Sequence, residues 1–320
     1  MSLLHRLVMN ASRISLFSGC RPSTNLRHAV PAFKGYNLSA CSALRMVTTR
    51  GQAGSSDARV SGGTASETKQ KYTLKSEGGG TYKVAGGEQI NVATAGVHAF
   101  VRLGSGAFVS GKLSEFKKRP KEPIILYEFD ACPFCRKVRE ACSILDLDVL
   151  FYPCPKDGPN WRPKAKGLSG KAQFPLLVDP NTGKQMLESD AIISYLWNEY
   201  GDGQVPLQFR LGPLSTISIG IGLLARGGKG ATYRKSKLPD QPIEIWGYEA
   251  SPFVKLAREV LTELELPHLY HSVARNSPRR PLLTEKWGTF QVPYIEDPNT
   301  GTAMFESNKI IQYLNETYAV

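Results

Sequence analysis

The feature that most constrains this chain is that it repeats itself. Tyr127-Glu128-Phe129-Asp130-Ala131-Cys132-Pro133-Phe134-Cys135 is answered about 119 residues later by Trp246-Gly247-Tyr248-Glu249-Ala250-Ser251-Pro252-Phe253-Val254. Arg139-Glu140 returns as Arg258-Glu259, Phe174-Pro175 as Val292-Pro293, and Asp179-Pro180-Asn181-Thr182-Gly183 recurs unchanged at 297–301. Glu188-Ser189 returns as Glu306-Ser307, and the tyrosines Tyr195 and Tyr200 return as Tyr313 and Tyr318. So many matches in one order mark a duplicated domain, and 320 residues suffice for two compact units plus extensions. The duplication extends upstream if Arg210-Leu211-Gly212 answers Arg102-Leu103-Gly104.

Local patterns predict the same element order in both copies. Residues 124–129 form an apolar, β-branched and aromatic run suited to a buried strand. A helix over 133–145 starts with Pro133 in its first turn, where the missing N–H costs nothing. A strand at 148–152, a Pro- and Lys-rich loop around Trp161, strands at 176–178 and 184–187 joined by a turn at 179–183, and a helix over 189–200 complete the unit. The reading is an α/β chain: 1–56 targeting segment, 57–119 linker and pre-domain segment, 120–201 first domain, 202–240 partly helical connector, 241–320 second domain.

The formal charge of +12 suggests nucleic acid until it is located. Residues 1–56 hold seven basic and no acidic residues, and without them the charge is about +5, an ordinary basic surface, so no nucleic-acid partner is expected. An acid-free, Arg- and Ser-rich start is the composition of an organelle transit peptide, here read as a disordered N-terminal region. Outside it the cysteines are Cys132, Cys135, Cys142 and Cys154. Their clustering points to local redox chemistry, while the lack of a second close pair argues against zinc, and no metal is expected.

Cys-x-x-Cys opening a helix, a later X-Pro before a strand, and Glu-Ser opening the last helix together resemble the thioredoxin-like, glutathione-binding N-terminal domain of glutathione S-transferases. The Pro-Phe between the cysteines is similar to glutaredoxin. The resemblance implies two tandem thioredoxin-like domains, each a four-stranded mixed sheet with flanking helices, with glutathione as cosubstrate. It makes Cys132 the nucleophile and Cys135 the resolving thiol. It places glutathione against Phe174, cis-Pro175, Glu188 and Ser189, and against Val292, Pro293, Glu306 and Ser307 in the second copy. It further implies thiol–disulfide exchange on a disulfide or glutathionylated substrate, and a plastid location with the mitochondrion as alternative.

The departures from that pattern leave alternatives open. No all-helical domain follows to form an electrophile pocket, which puts a transferase or prostaglandin-E-synthase-2-like isomerase second. A glutathione-binding or interaction protein without turnover is third. In the second copy Ser251 and Val254 replace the thiols, so Ser251 either supports a glutathione thiolate or sits in a merely structural unit. Helix-start N–H groups and the cations Arg136, Lys137 and Arg139 are expected to favour the Cys132 thiolate. Arg162, Lys164 and Lys171 are candidates for the glycine carboxylate of glutathione, and Ser189 is a candidate helix cap. A glutathione-assisted iron–sulfur cluster at Cys132 is a minor reading by analogy with some glutaredoxins. Gly220-Ile221-Gly222 resembles a dinucleotide fingerprint but has no βαβ unit around it. The uncharged run 211–225 is too short to span a bilayer and reads as a helix between the domains, with membrane-surface contact the lesser alternative.

Overall fold

The protein is described by a computed structural model at residues 72–76, 86–116, 118–211 and 213–320; the expected targeting segment lies outside these. The first repeat runs β2 (Ile124–Glu128), α2 (Pro133–Ile144), β3 (Val149–Pro153), α3 (Trp161–Ser169), β4 (Leu176–Asp179), β5 (Lys184–Met186) and α4 (Ser189–Tyr200). The second runs β6 (Ile243–Gly247), α7 (Pro252–Glu263), β7 (His268–Ser272), α8 (Arg280–Trp287), β8 (Tyr294–Asp297), β9 (Thr302–Phe305) and α9 (Ser307–Tyr318). In each, the first two strands are parallel and the last two are antiparallel, so each copy is an α/β unit with a four-stranded mixed sheet. The Pro- and Lys-rich stretch expected as loop is α3 instead. Pro163 falls in its first turn, where a proline is tolerated, and Gly170 closes it in a left-handed conformation.

The two sheets are not separate. Strands β3 and β7 pair antiparallel, Val149 with Tyr270 and Phe151 with His268, while β1 (Thr73–Ser76) joins the far edge of β9. Among the described residues this gives one nine-stranded sheet, ordered β1-β9-β8-β6-β7-β3-β2-β4-β5. The recurring turn peptide has a packing role that composition does not reveal. Asp179 accepts from Tyr195 at 2.5 Å and Tyr200 at 2.6 Å, and Asp297 accepts likewise from Tyr313 and Tyr318 at 2.7 and 2.5 Å. One buried carboxylate thus ties the last helix of each copy to its hairpin, with every partner a hydrogen-bond donor.

Across the seam the copies exchange buried charges. Glu249 accepts from Arg136 at 3.0 Å and Arg139 at 2.9 Å. Asp130, its counterpart, meets Lys255 at 2.5 Å and Arg258 at 3.4 Å. Arg139 and Arg258 also share Glu128. Such a network stabilises only as a set, since removing one partner strands a buried charge at roughly 3–5 kcal/mol. Its use here is to fix how one copy sits on the other.

Residues of the expected linker and connector form a second layer. Helix α1 (Gly86–Val101) packs on α7, and α6 (Pro213–Leu224) packs on α2, so the helix preceding each copy lies on the other copy; the two also pack together. Their counterparts in sequence are not the ones expected. Arg226, not Arg210, plays the part of Arg102: Arg102 pairs with Glu140 at 2.8 Å and Arg226 with Glu259 at 2.6 Å. The shared motif is therefore Arg-x-Gly-x-Gly-Ala, 102–107 and 226–231. Its second glycine is required twice over. Gly106 (φ +82°) and Gly230 (φ +75°) are left-handed, and a Cβ would meet Cβ of Glu249 at 3.0 Å and of Asp130 at 2.9 Å. The dinucleotide-like Gly222 lies within α6, where a Cβ would meet Cβ of His98 at 2.6 Å, so it serves a close helix crossing and not a phosphate.

Candidate active site

The order of the strands brings the predicted residues of the first copy to one end of its sheet. Tyr127 of β2 faces Leu176 of β4, so Phe129 leading to Cys132 and Pro175 leading into β4 leave the sheet together. The Phe174-Pro175 bond is cis, and the Phe174 ring stands edge-on to that of Phe129 at 6.0 Å. An ion pair from Lys137 in α2 to Asp190 in α4 draws the Glu188-Ser189 corner to the same end. Cys132 and Cys135, cis-Pro175 and Ser189 are thus carried by elements that meet at this end of the sheet.

Cys132 is the N-cap of α2, and its Sγ accepts the Cys135 N–H at 3.3 Å. The thiol is held below its ordinary range by hydrogen bonding from the Cys135 side chain, which outweighs burial. Cys135 moves the opposite way: burial, then its donation to Cys132, keeps it protonated well above the usual thiol range. The polarisation comes chiefly from the pair and the helix start; of the three cations the sequence suggested, Arg139 adds the least of the lowering causes. Arg136 is bound to Glu140 and Glu249, Arg139 to Glu128, Asp130 and Glu249, and Lys137 to Asp190, so their charge is largely compensated. Cys142 is pushed up to about 12 by burial and Cys154 well above its normal value, so both are inert thiols. All four cysteines are free. Among the described residues no cluster of His, Cys, Asp and Glu is arranged to hold a metal.

The segment carrying Cys132 is gripped by the second copy and by the connector before it. Asp130 holds Lys255 and Arg258 of α7, and the Ala131 N–H reaches Gly230 O at 3.4 Å. Burial raises Asp130, but Lys255, Arg139 and Arg258 prevail and hold its carboxyl well below the usual range. Sequence inspection had one signal for this contact, the recurrence of Asp130 as Glu249 and of Arg139 as Arg258, but no indication of which copy supplied the partner.

At the Glu-Ser corner the structure corrects one reading. Ser189 begins α4 without capping it; the cap position is Glu188, which makes no side-chain cap hydrogen bond. Glu188 has φ +72° and Glu306 φ +71°, a left-handed conformation uncommon outside glycine and held identically in both copies. Gln173 donates to Glu188 Oε1 at 2.5 Å. Arg162 is occupied otherwise than expected: its guanidinium lies over the Phe174 ring, 4.8 Å from the centroid, and donates to the carbonyls of Cys154 and Pro155. Its counterpart Arg280 lies over Phe290 at 3.7 Å, so the Arg-Pro pair opening α3 and α8 is a repeat feature that sequence comparison passed over.

The second copy keeps the frame and lacks the thiols. Ser251 caps α7, its Oγ accepting the Val254 N–H at 3.4 Å, Val292-Pro293 is cis, and Glu306-Ser307 repeats the corner. An open cleft of about 710 Å³ runs along α4 from Asp190 and Ile193 to Phe209 and Arg210, and neither Cys132 nor Ser251 lines it.

Comparison with known proteins finds matches to parts of the chain. A curated relative, the glutathione S-transferase-like protein tpcF of Aspergillus fumigatus, is 33% identical over 82 residues, which is 25% of this chain and 36% of that protein. The chain thus spans about a third of that relative's length. Among solved structures, the glutathione transferase BmGSTD1 of Bombyx mori matches with 30% identity over 26% of this chain and 38% of its own, at a TM-score of 0.23. The family described as glutathione S-transferase, N-terminal domain, matches residues 126–204 and again residues 246–320, one match for each copy of the fold.

Proposed function

We propose that the first copy catalyses glutathione-dependent thiol–disulfide exchange, including deglutathionylation. The observation that carries this is the polarised pair at the start of α2, with Cys132 held toward thiolate by the donating Cys135. The Cys132 thiolate attacks the glutathione sulfur of a mixed disulfide, and the substrate leaves as a thiolate that takes up a proton. Cys135 then loses its proton, attacks Cys132 Sγ and expels glutathione thiolate. Two further glutathione thiols reduce the resulting Cys132–Cys135 disulfide and leave as glutathione disulfide, so electrons balance. Glutathione lies along Phe174, with its γ-glutamyl end at Glu188 and Ser189. The two family matches support glutathione as the cosubstrate.

In the second copy Ser251 and Val254 exclude dithiol exchange, and α7 supplies the Lys255 and Arg258 contacts to the Cys132 segment instead. That copy is read as a structural partner of the first. Import of the chain into an organelle is proposed on the composition of residues 1–56, and the plastid over the mitochondrion on the family resemblance.

The test is reduction of a glutathione mixed disulfide by the purified protein. Cys132→Ser should abolish turnover, whereas Cys135→Ser should retain it, because a second glutathione can resolve the intermediate. Undiminished turnover in Cys132→Ser would sink the assignment.

A further inference from the structure

Among the described residues, nothing covers the outer face of the α1–α6 layer. Helix α6 buries Ile219 and Leu223 against the protein, yet Ile217, Ile221 and Leu224 point outward, Leu224 being 80% exposed. On α1, Ala95 and His98 face inward while Ile90 and Phe100 face out, Phe100 being 84% exposed. The helices lie side by side, with His98 against Gly222 and Arg102 donating to Ser218, so the two outward stripes adjoin. From 89 to 101 and from 216 to 224 there is no Asp, Glu, Lys or Arg. A surface helix ordinarily turns charged residues to water on its outer side; these two do not.

The patch continues past the helix ends. Leu103, directly after α1, is 95% exposed and held at φ +50°, a conformation unfavourable for a leucine. Gln208 donates to Ser105, which sets α5 (Leu207–Arg210), with exposed Leu207 and Leu211, beside it.

We propose that this face docks on an anionic phospholipid surface, with α1 and α6 lying in the plane of the interface. Charge selects this occupant. Residues 203–239 carry no acidic residue, and although Arg226 is buried against Glu259 and Arg234 pairs with Glu263, exposed Arg210 and Lys229 stand at the two ends of α6, where they meet headgroup phosphates as the apolar stripe enters the acyl boundary. A second copy on the same face would bring like charges together at that rim. The 12 residues of α6 span roughly 18 Å, well short of a bilayer, and no described helix is long and apolar enough to cross one.

The experiment is co-sedimentation of the full chain with mixed phosphatidylcholine–phosphatidylglycerol vesicles, comparing wild type with Ile217→Ser/Ile221→Ser/Leu224→Ser. All three positions are exposed, the net charge is unchanged, and both proteins carry the same basic N-terminal segment, so the difference isolates the face. The variant should partition at least about tenfold less, with unaltered circular dichroism. Arg210→Gln/Lys229→Gln should weaken binding to these vesicles and leave binding to pure phosphatidylcholine unchanged. Equal partitioning of wild type and triple variant, or no partitioning of wild type, overturns the proposal. So does a wild-type dimer in solution that the triple variant dissolves while vesicle binding is unaffected.

Discussion

At the scale of single residues, chemistry is set here by partners far away in sequence. Arg136 and Arg139 look like free cations beside Cys132 until Glu249 is found to bind both, which leaves Arg139 only a minor part in lowering that thiol. The two cysteines, Phe174-Pro175 and Glu188-Ser189 were legible because recurrence fixed their places in the unit. The left-handed backbone of Glu188 was not, because a dihedral angle leaves no mark on a residue that is not glycine. That conformation costs about 1–3 kcal/mol and persists where the surroundings enforce it, which places it with the proposed γ-glutamyl corner. Glu188→Gly should therefore leave stability unchanged or raise it by about 1 kcal/mol in urea unfolding, while raising the KM for glutathione by about fivefold or more. A clear loss of stability would show that Glu188 is not strained.

At the scale of elements, sequence pattern located the strands and helices of both copies through apolar runs and turn and helix-start residues, and most of those strands are buried along their whole length. It misjudged 161–169, where polar composition hid a short helix, and it gave no structure to 86–101, whose burial partner α7 belongs to the other copy. The β3–β7 seam was equally hidden, because an edge strand and a central strand differ only in what lies beside them. The seam has a pH dependence. His271 of β7 sits between Asp148 of the first copy, at 3.1 Å, and Glu244, at 3.4 Å. Burial lowers its pKa, but the two carboxylates outweigh burial and raise it to about 9. A raised histidine contributes its full stability below the unfolded value near 6.5 and loses it as pH rises through about 9, on the order of 3 kcal/mol in all. Urea unfolding of His271→Gln should thus lack most of the wild-type decline between those values. An identical decline in both proteins would assign it to other groups.

At the scale of the whole molecule, duplication was plain in the sequence, and what it built was not. The copies share one sheet, exchange buried charges, and each wears the helix that precedes the other. The second copy lost or never had the thiols, yet Lys255 and Arg258 hold the segment that presents Cys132. Such a role leaves no motif, since lysine and arginine on a helix ordinarily face water. The central claim is that this assembly yields one activated thiol. It is tested most directly by the rate of Cys132 alkylation against pH in the intact protein, with the labelled peptide identified so that the other cysteines do not contribute. The account predicts a titration clearly below the ordinary thiol value of about 8.5, with Cys142 and Cys154 silent throughout. A Cys132 titration at or above that value would contradict it.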